Sequence, residues 1–125
     1  HLHGLAHDWN KAEGVEPLGK WDRFLAEQFA TFLDRMCKTP AGPESDVTLL
    51  DQTTIIYGCS NSTTHTNKNY PLVLAGGRGL GFKHGQYLKY GEDTPFANVF
   101  ATMLEQTGVT NRFADSTGNL PELLA

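Results

Sequence analysis

Three histidines and an aspartate fall within the first eight residues, HLHGLAHD. His3 and His7 are spaced i, i+4, and Asp8 adjoins the second. Imidazole nitrogens and carboxylate oxygens are good ligands for zinc and similar ions. On a helix an i, i+4 pair shares one face. Gly4 allows a loop just as well, and ligands can converge from a loop too. A histidine-bearing chain end with no site at all explains the same residues. His1 has no assigned role.

His65 is the fourth candidate ligand. It lies in the polar stretch NSTTHTNKN (61–69), directly after an apolar run. In α/β sheets, sites form beyond the carboxyl ends of strands. Ser60, Asn61 and Asn67 offer hydrogen bonds there. The plain alternative for His65 is an exposed loop histidine. GCSNS (58–62) lacks the final glycine of a nucleophile elbow. Asn61-Ser62-Thr63 is a glycosylation sequon, a pattern that often occurs by chance.

The third stretch is AGGRGLGFKHG (75–85). It has no Gly-Lys-Ser/Thr and opens no helix, which excludes a P-loop or dinucleotide fingerprint. Arg78, Lys83 and His84 offer an anion a cationic surround, and the glycines let backbone N–H groups approach one. A glycine-rich surface turn is the plainer reading. Arg112, Asp115 and Ser116 read as a local turn network.

These groups need elements to position them. Gly4, Gly14, Pro17 and Gly19 mark residues 1–19 as loop. Trp21, Phe24, Leu25, Phe29, Phe32, Leu33 and Met36 follow helical spacing, which predicts a helix over 20–38 that Pro40 stops. TPAGPESDVT (39–48) reads as a surface connection. TTIIYGCS (53–60) reads as a strand buried on both faces, as in a parallel sheet. YPLVLAGG (70–77) reads as a second strand, with Pro71 at its start. A small strand is expected at Tyr87–Tyr90. Thr94 and Pro95 predict the cap and first position of a second helix. Its stripe is Phe96, Val99, Phe100, Met103 and Leu104, and Gly108 ends it. Leu120, Leu123 and Leu124 are available to dock the tail. Helix and strand in this order suggest α/β layering. Two strands are few for a self-contained sheet, which suggests a piece of a larger domain.

The chain has 125 residues, 39% hydrophobic and 19% charged, with a formal net charge of −4. That fits one globular domain over 1–125. Interspersed charges without a basic run argue against nucleic acid or an anionic membrane as partner. No apolar stretch approaches the roughly 20 residues that span a bilayer. Cys37 and Cys59 lack zinc-motif spacing. They read as small buried hydrophobes, with one bridge possible.

Taken in order, HGLAHD (3–8), WDRFLAEQFATFLDRM (21–36), TLLDQTTIIYGCSNSTTHTNKNYPLVLAGG (48–77), KHGQYLKY (83–90), TPFANVFATMLEQTGV (94–109) and RFADSTGNLPELL (112–124) resemble the C-terminal part of the HXXSHH family of secreted bacterial proteins. The family's namesake motif falls on residues 3–8. His3 and His7 match it, Ala6 stands where the family has serine, and Asp8 where it has the last histidine. His65 falls where the family often has a histidine after the strand. The family resembles, more distantly, the alkaline phosphatase and sulfatase superfamily. That resemblance implies an α/β/α three-layer sandwich of which this chain is a partial, C-terminal fragment. It also implies metal ligands on loops at strand ends, here His3, His7, Asp8 and His65 for a divalent ion such as zinc or calcium. The Gly76–Gly81 loop would line the pocket. The activity implied is metal-dependent hydrolysis of phosphate or sulfate esters on a small-molecule or polysaccharide substrate, in the periplasm or outside the cell. The N-terminal remainder of the parent chain would supply the nucleophile. The alternative is a secreted, non-catalytic binding or assembly module, for which Ala6 and Cys59-Ser60-Asn61 at the strand end speak. A third expectation is a fragment without activity of its own.

Overall fold

The computed structural model describes residues 2–59, 65–69 and 71–125, without the side chain of Leu2. Ser60, Asn61, the sequon and Tyr70 therefore lie outside the described residues. Internal contacts group the chain into two compact units, His1–Met36 and Cys37–Ala125.

The first unit is helical. Helix α1 spans Leu2–His7 and α2 spans Ala12–Lys38. The loop expected over residues 1–19 is thus mostly helix, and α2 starts eight positions before the expected 20. Two local facts explain how the helix absorbs its breakers. Gly14 is buried against the turn that follows α1, and a Cβ there would stand 2.0 Å from the Asp8 carbonyl oxygen. Glycine is needed for that approach. Pro17 lies inside α2 on an exposed position. Its missing N–H leaves the Glu13 carbonyl without a helical donor, and Glu13 is also exposed, so water can serve it. Glu13 in the first turn suits the helix dipole. On the polar face, Lys20–Glu16 at 2.7 Å and Arg23–Glu27 at 2.8 Å are i, i+4 ion pairs.

The second unit contains the sheet. A single turn after Thr48 forms a capping box. Asp51 accepts from the Thr48 N–H at 2.9 Å and from Thr48 Oγ1 at 2.7 Å. The Asp51 N–H donates back to Thr48 Oγ1 at 3.2 Å. These bonds, the side-chain one foremost, hold the Asp51 carboxyl below its ordinary range.

Strand β1, Thr54–Gly58, follows, and pairs with β2, Leu72–Gly76. The pairing is antiparallel, from Thr54 opposite Gly76 to Gly58 opposite Leu72. This corrects the parallel expectation. A parallel pair needs a crossover of about a dozen or more residues, usually helical. The connection 59–71 is polar, and no α-helix lies in its described residues. Burial differs as well: most of both strands is only half-buried.

After β2 the chain turns sharply. Gly77 is buried with φ 70°, and a Cβ there would lie 2.4 Å from Thr54 Oγ1. Its N–H donates to the Leu50 carbonyl at 2.8 Å. A 3-10 turn, Arg78–Leu80, leads to Phe82, which is 2% exposed. No strand forms at Tyr87–Tyr90, and Tyr87 is 89% exposed. That corrects the third-strand expectation. Among the described residues the stretch has no partner strand, and its backbone enters through Gly85 at φ 76°.

Helix α3 spans Ala97–Gln106. It begins later than Thr94–Pro95 suggested, with Phe96 in the cap position and no side-chain cap bond. Asn98 N–H to Pro95 and Val99 N–H to Phe96, both at 3.0 Å, form a tighter lead-in turn. Its end is as expected. Gly108 has φ 84°, Val109 N–H bonds Leu104 at 3.0 Å, and Gly108 N–H bonds Glu105 at 2.9 Å. This is a Schellman motif.

The buried side of α3 is not the predicted stripe. Ala97, Asn98, Ala101 and Thr102 are buried, while Phe96, Val99, Phe100, Met103 and Leu104 are half-buried. Asn98 Oδ1 accepts from the Thr117 N–H at 2.9 Å, and its Nδ2 donates to Thr117 Oγ1 at 3.2 Å. Thr102 Oγ1 accepts from the Leu120 N–H at 2.8 Å and donates to the Asn98 carbonyl at 2.7 Å. The tail is therefore fastened to α3 by hydrogen bonds as well as by buried Leu120. It closes on the glycine turn through Lys83 N–H to Leu123 at 2.8 Å and Ala125 N–H to Gly81 at 2.9 Å.

Candidate functional site

The candidate ligands divide between the units. His3 and His7 lie on α1, one helical turn apart, and both are exposed. Their ring centroids are 4.6 Å apart at an interplanar angle of 70°. The loop alternative for this stretch is thereby replaced by a helical face. Two imidazoles at that separation present nitrogen donors to the same volume.

Asp8 follows the last residue of α1, where the chain leaves the helix. Its carboxylate pairs with Lys11 Nζ at 2.5 Å, its N–H bonds Gly4 at 3.1 Å, and its carbonyl accepts from the Lys11 N–H at 2.9 Å. Asp8 is thus part of the turn between α1 and α2. The Lys11 pair is exposed at both ends, so it is weak enough for a cation to displace.

His65 belongs to the second unit. It is exposed and has φ 61°, a left-handed conformation that histidine tolerates better than most residues.

Most N–H groups of the glycine-rich turn are already taken up by the fold. Those of Gly77, Gly79, Leu80, Gly81 and Phe82 all donate to backbone carbonyls. His84 Nε2 donates to the Gly76 carbonyl at 2.7 Å. Arg78 lies near enough to Asp51 to help lower its pKa, behind the Thr48 bonds. The Arg112–Ser116 region is a local turn, as expected. Ser116 Oγ accepts from the Phe113 N–H at 3.2 Å, and the Ser116 N–H returns to Phe113 at 2.9 Å. Cys37 and Cys59 are both exposed, which corrects the expectation of two buried thiols.

Two cavities in the second unit escaped the sequence reading. One, of about 560 Å³, is lined by polar groups including Glu105, Thr110, Arg112, Thr117 and Asn119. The other, of about 310 Å³, is lined by Asn67, Phe96, Ala97, Phe100, Phe113 and Asp115. Phe96 and Phe100 carry an i, i+4 signal. Nothing in the spacing says that Phe113 returns to them.

Burial raises the pKa of the Tyr90 phenol, with Glu122 adding to it, and its hydroxyl is buried without a partner among the described residues. No helix of the described residues is long and apolar enough to cross a membrane. No family model, no curated protein and no solved structure matches the chain.

Proposed function

We propose that this chain is part of a secreted bacterial, metal-dependent hydrolase of phosphate or sulfate esters, built on an alkaline phosphatase-like α/β/α sandwich. His3 and His7 hold the divalent ion. Asp8 and His65 enter the donor set from the sequence and its family resemblance. The observation that carries the reading is the His3–His7 ring pair on one face of α1. An imidazole set favours zinc over calcium, which takes oxygen ligands. When bound, such an ion supplies Lewis-acid polarisation of a phosphoryl or sulfuryl oxygen. The chain's own part is to fix both rings on one helical turn, with Asp8 in the turn that follows it.

A second reading is a secreted binding or assembly module without catalysis. Ala6 in the serine position favours it. So does the exposure of His3, His7 and His65, because electrostatic catalysis draws its strength from water-excluded sites.

Zinc titration calorimetry on the chain, with His3→Ala and His7→Ala, tests the metal site. Stoichiometric binding that either substitution abolishes is expected; a fully folded chain that takes up no zinc overturns it. His65→Ala asks whether the third imidazole contributes. Turnover of aryl phosphate and aryl sulfate esters by the zinc-loaded parent protein then separates the hydrolase from the binding module.

A further inference from the structure

The 560 Å³ cavity lies where the chain returns from α3 into the tail, and its wall is mostly polar. Donors and acceptors on that wall are not in balance. Ser116 Oγ accepts from the Phe113 N–H at 3.2 Å, and Thr117 Oγ1 accepts from Asn98 Nδ2 at 3.2 Å. A hydroxyl also has one O–H to donate. Neither of these O–H groups has an acceptor among the described residues, although Ser116 is only 6% exposed. The next two backbone N–H groups, of Gly118 and Asn119, are without an acceptor as well. Gly118 can line the cavity only with its backbone, and a Cβ there would meet nothing within 4 Å, so this side is open. Arg112 is the one cationic residue of the wall, and its guanidinium enters no hydrogen bond or ion pair among the described residues. The glycine-rich turn differs, because there the fold consumes most of the backbone donors. The one carboxylate of the wall, Glu105, is engaged by the Asn119 amide.

We propose that this cavity binds a small carboxylate carried on a hydroxylated body, of the sugar-acid class. A planar guanidinium pairs with a carboxylate through two parallel N–H···O bonds, which is the part assigned to Arg112. The unspent donors of residues 116–119 serve the remaining lone pairs. Thr110 and Asn111, on the same wall, suit the hydroxyls of the body. The volume falls in the range of small-molecule sites, about 300–1,000 Å³, and a bare inorganic anion would leave most of it empty. The inference is independent of the His3–His7 reading and uses none of its residues.

The test is an NMR titration of the folded chain with D-glucuronate, set beside D-glucose, in which a CH2OH group replaces the carboxylate. Glucuronate is expected to saturate in the millimolar range, with shifts at residues 110–112 and 116–119, and glucose to bind about tenfold more weakly. Arg112→Gln removes the charge at an exposed position without a partner in the fold. It is expected to weaken glucuronate about tenfold and to leave glucose unchanged. Glu105→Gln keeps an acceptor for Asn119 and removes the like charge. It is expected to tighten glucuronate about two- to fivefold, which a structural role for Glu105 would not do. Equal affinity for glucuronate and glucose overturns the proposal, as does the absence of any saturable shift with glucuronate. So does inorganic phosphate that binds as tightly as glucuronate at the same residues, because the cavity then holds a bare anion and does not use the hydroxylated body.

Discussion

Helix α2 leaves Val15, Trp21, Phe24 and Phe32 between 38% and 55% exposed, whereas α3 buries Asn98 and Thr102 to 5% and 0%. The two helices thus use amphipathicity in opposite senses. In α2 the apolar stripe is split, with Trp21, Phe24 and Phe32 exposed and Leu25, Phe29, Leu33 and Met36 half-buried, and the polar face is laced by i, i+4 ion pairs. In α3 the large apolar residues sit at the margins, and two short polar side chains occupy the most enclosed positions. The difference lies in what each helix must hold. The tail brings backbone N–H groups against α3, and buried backbone donors need acceptors. Asn98 and Thr102 supply them. Helix α2 meets no such demand within its own unit. There the tight contact is backbone to backbone, Gly14 against Asp8.

This contrast also marks what sequence alone can reveal. Hydrophobic spacing finds α2 and α3, because a stripe at helical period is needed for either use. It does not say whether the stripe is covered. The strands at 53–60 and 70–77 were legible for a similar reason: β-branched and aromatic runs favour extended backbone. Their antiparallel sense was not, since direction depends on a connection whose letters are merely polar. Gly108 was legible as a stop because the Schellman geometry needs a residue at φ 84°. Gly14 and Pro17 misled, because a breaker inside a helix is tolerated where a close approach or water accommodates it. In the candidate site, His3 and His7 could be singled out by spacing alone. The two cavities could not, since both depend on how the chain returns after α3.

The two units can be followed separately. Both tryptophans, Trp9 and Trp21, lie in the first unit, and Tyr57, Tyr70, Tyr87 and Tyr90 lie in the second. Selectively excited tryptophan fluorescence therefore reports α1 and α2, and tyrosine ring resonances report the sheet and tail. The largest effect is expected from Thr102→Val. The substitution keeps the shape and leaves the Leu120 N–H buried without its acceptor, at a cost of about 2 kcal/mol. The tyrosine-reported denaturant midpoint should fall, and the tryptophan-reported one should stay. A drop in both would break the contrast between α2 and α3, and no drop in either would remove Thr102 as the anchor of the tail.

Gly14→Ala is the counterpart in the first unit. In an ordinary helix interior this change adds about 1 kcal/mol of stability. Here the Cβ collides with the Asp8 carbonyl, and overpacking of that kind costs on the order of 1–3 kcal/mol. The net loss is expected to be about 1 kcal/mol, read by tryptophan alone. Because α1 must shift, zinc affinity at His3 and His7 should weaken in the same variant. A stabilised helix with unchanged zinc binding would show that the turn between α1 and α2 is not held by this contact.

The smallest effect is expected at the capping box. Asp51 is held below its ordinary pKa in the folded chain. A carboxyl so depressed contributes stability that is present above its unfolded pKa and is lost as pH falls through the folded value. Acidification below about pH 4, the unperturbed carboxylate range, should therefore lower the tyrosine-reported melting temperature. Asp51→Asn keeps an acceptor for the Thr48 N–H and abolishes the titration. It is expected to flatten the acid limb and to lower the neutral-pH melting temperature by about the amplitude of that limb, a small step because the turn is only half-buried and water still screens the charge. The tryptophan-reported transition has no share in this turn and should keep its own acid dependence in the variant. If the acid limb of the tyrosine transition survives in Asp51→Asn, another carboxylate of the second unit carries it. The capping box would then be held by geometry rather than by charge.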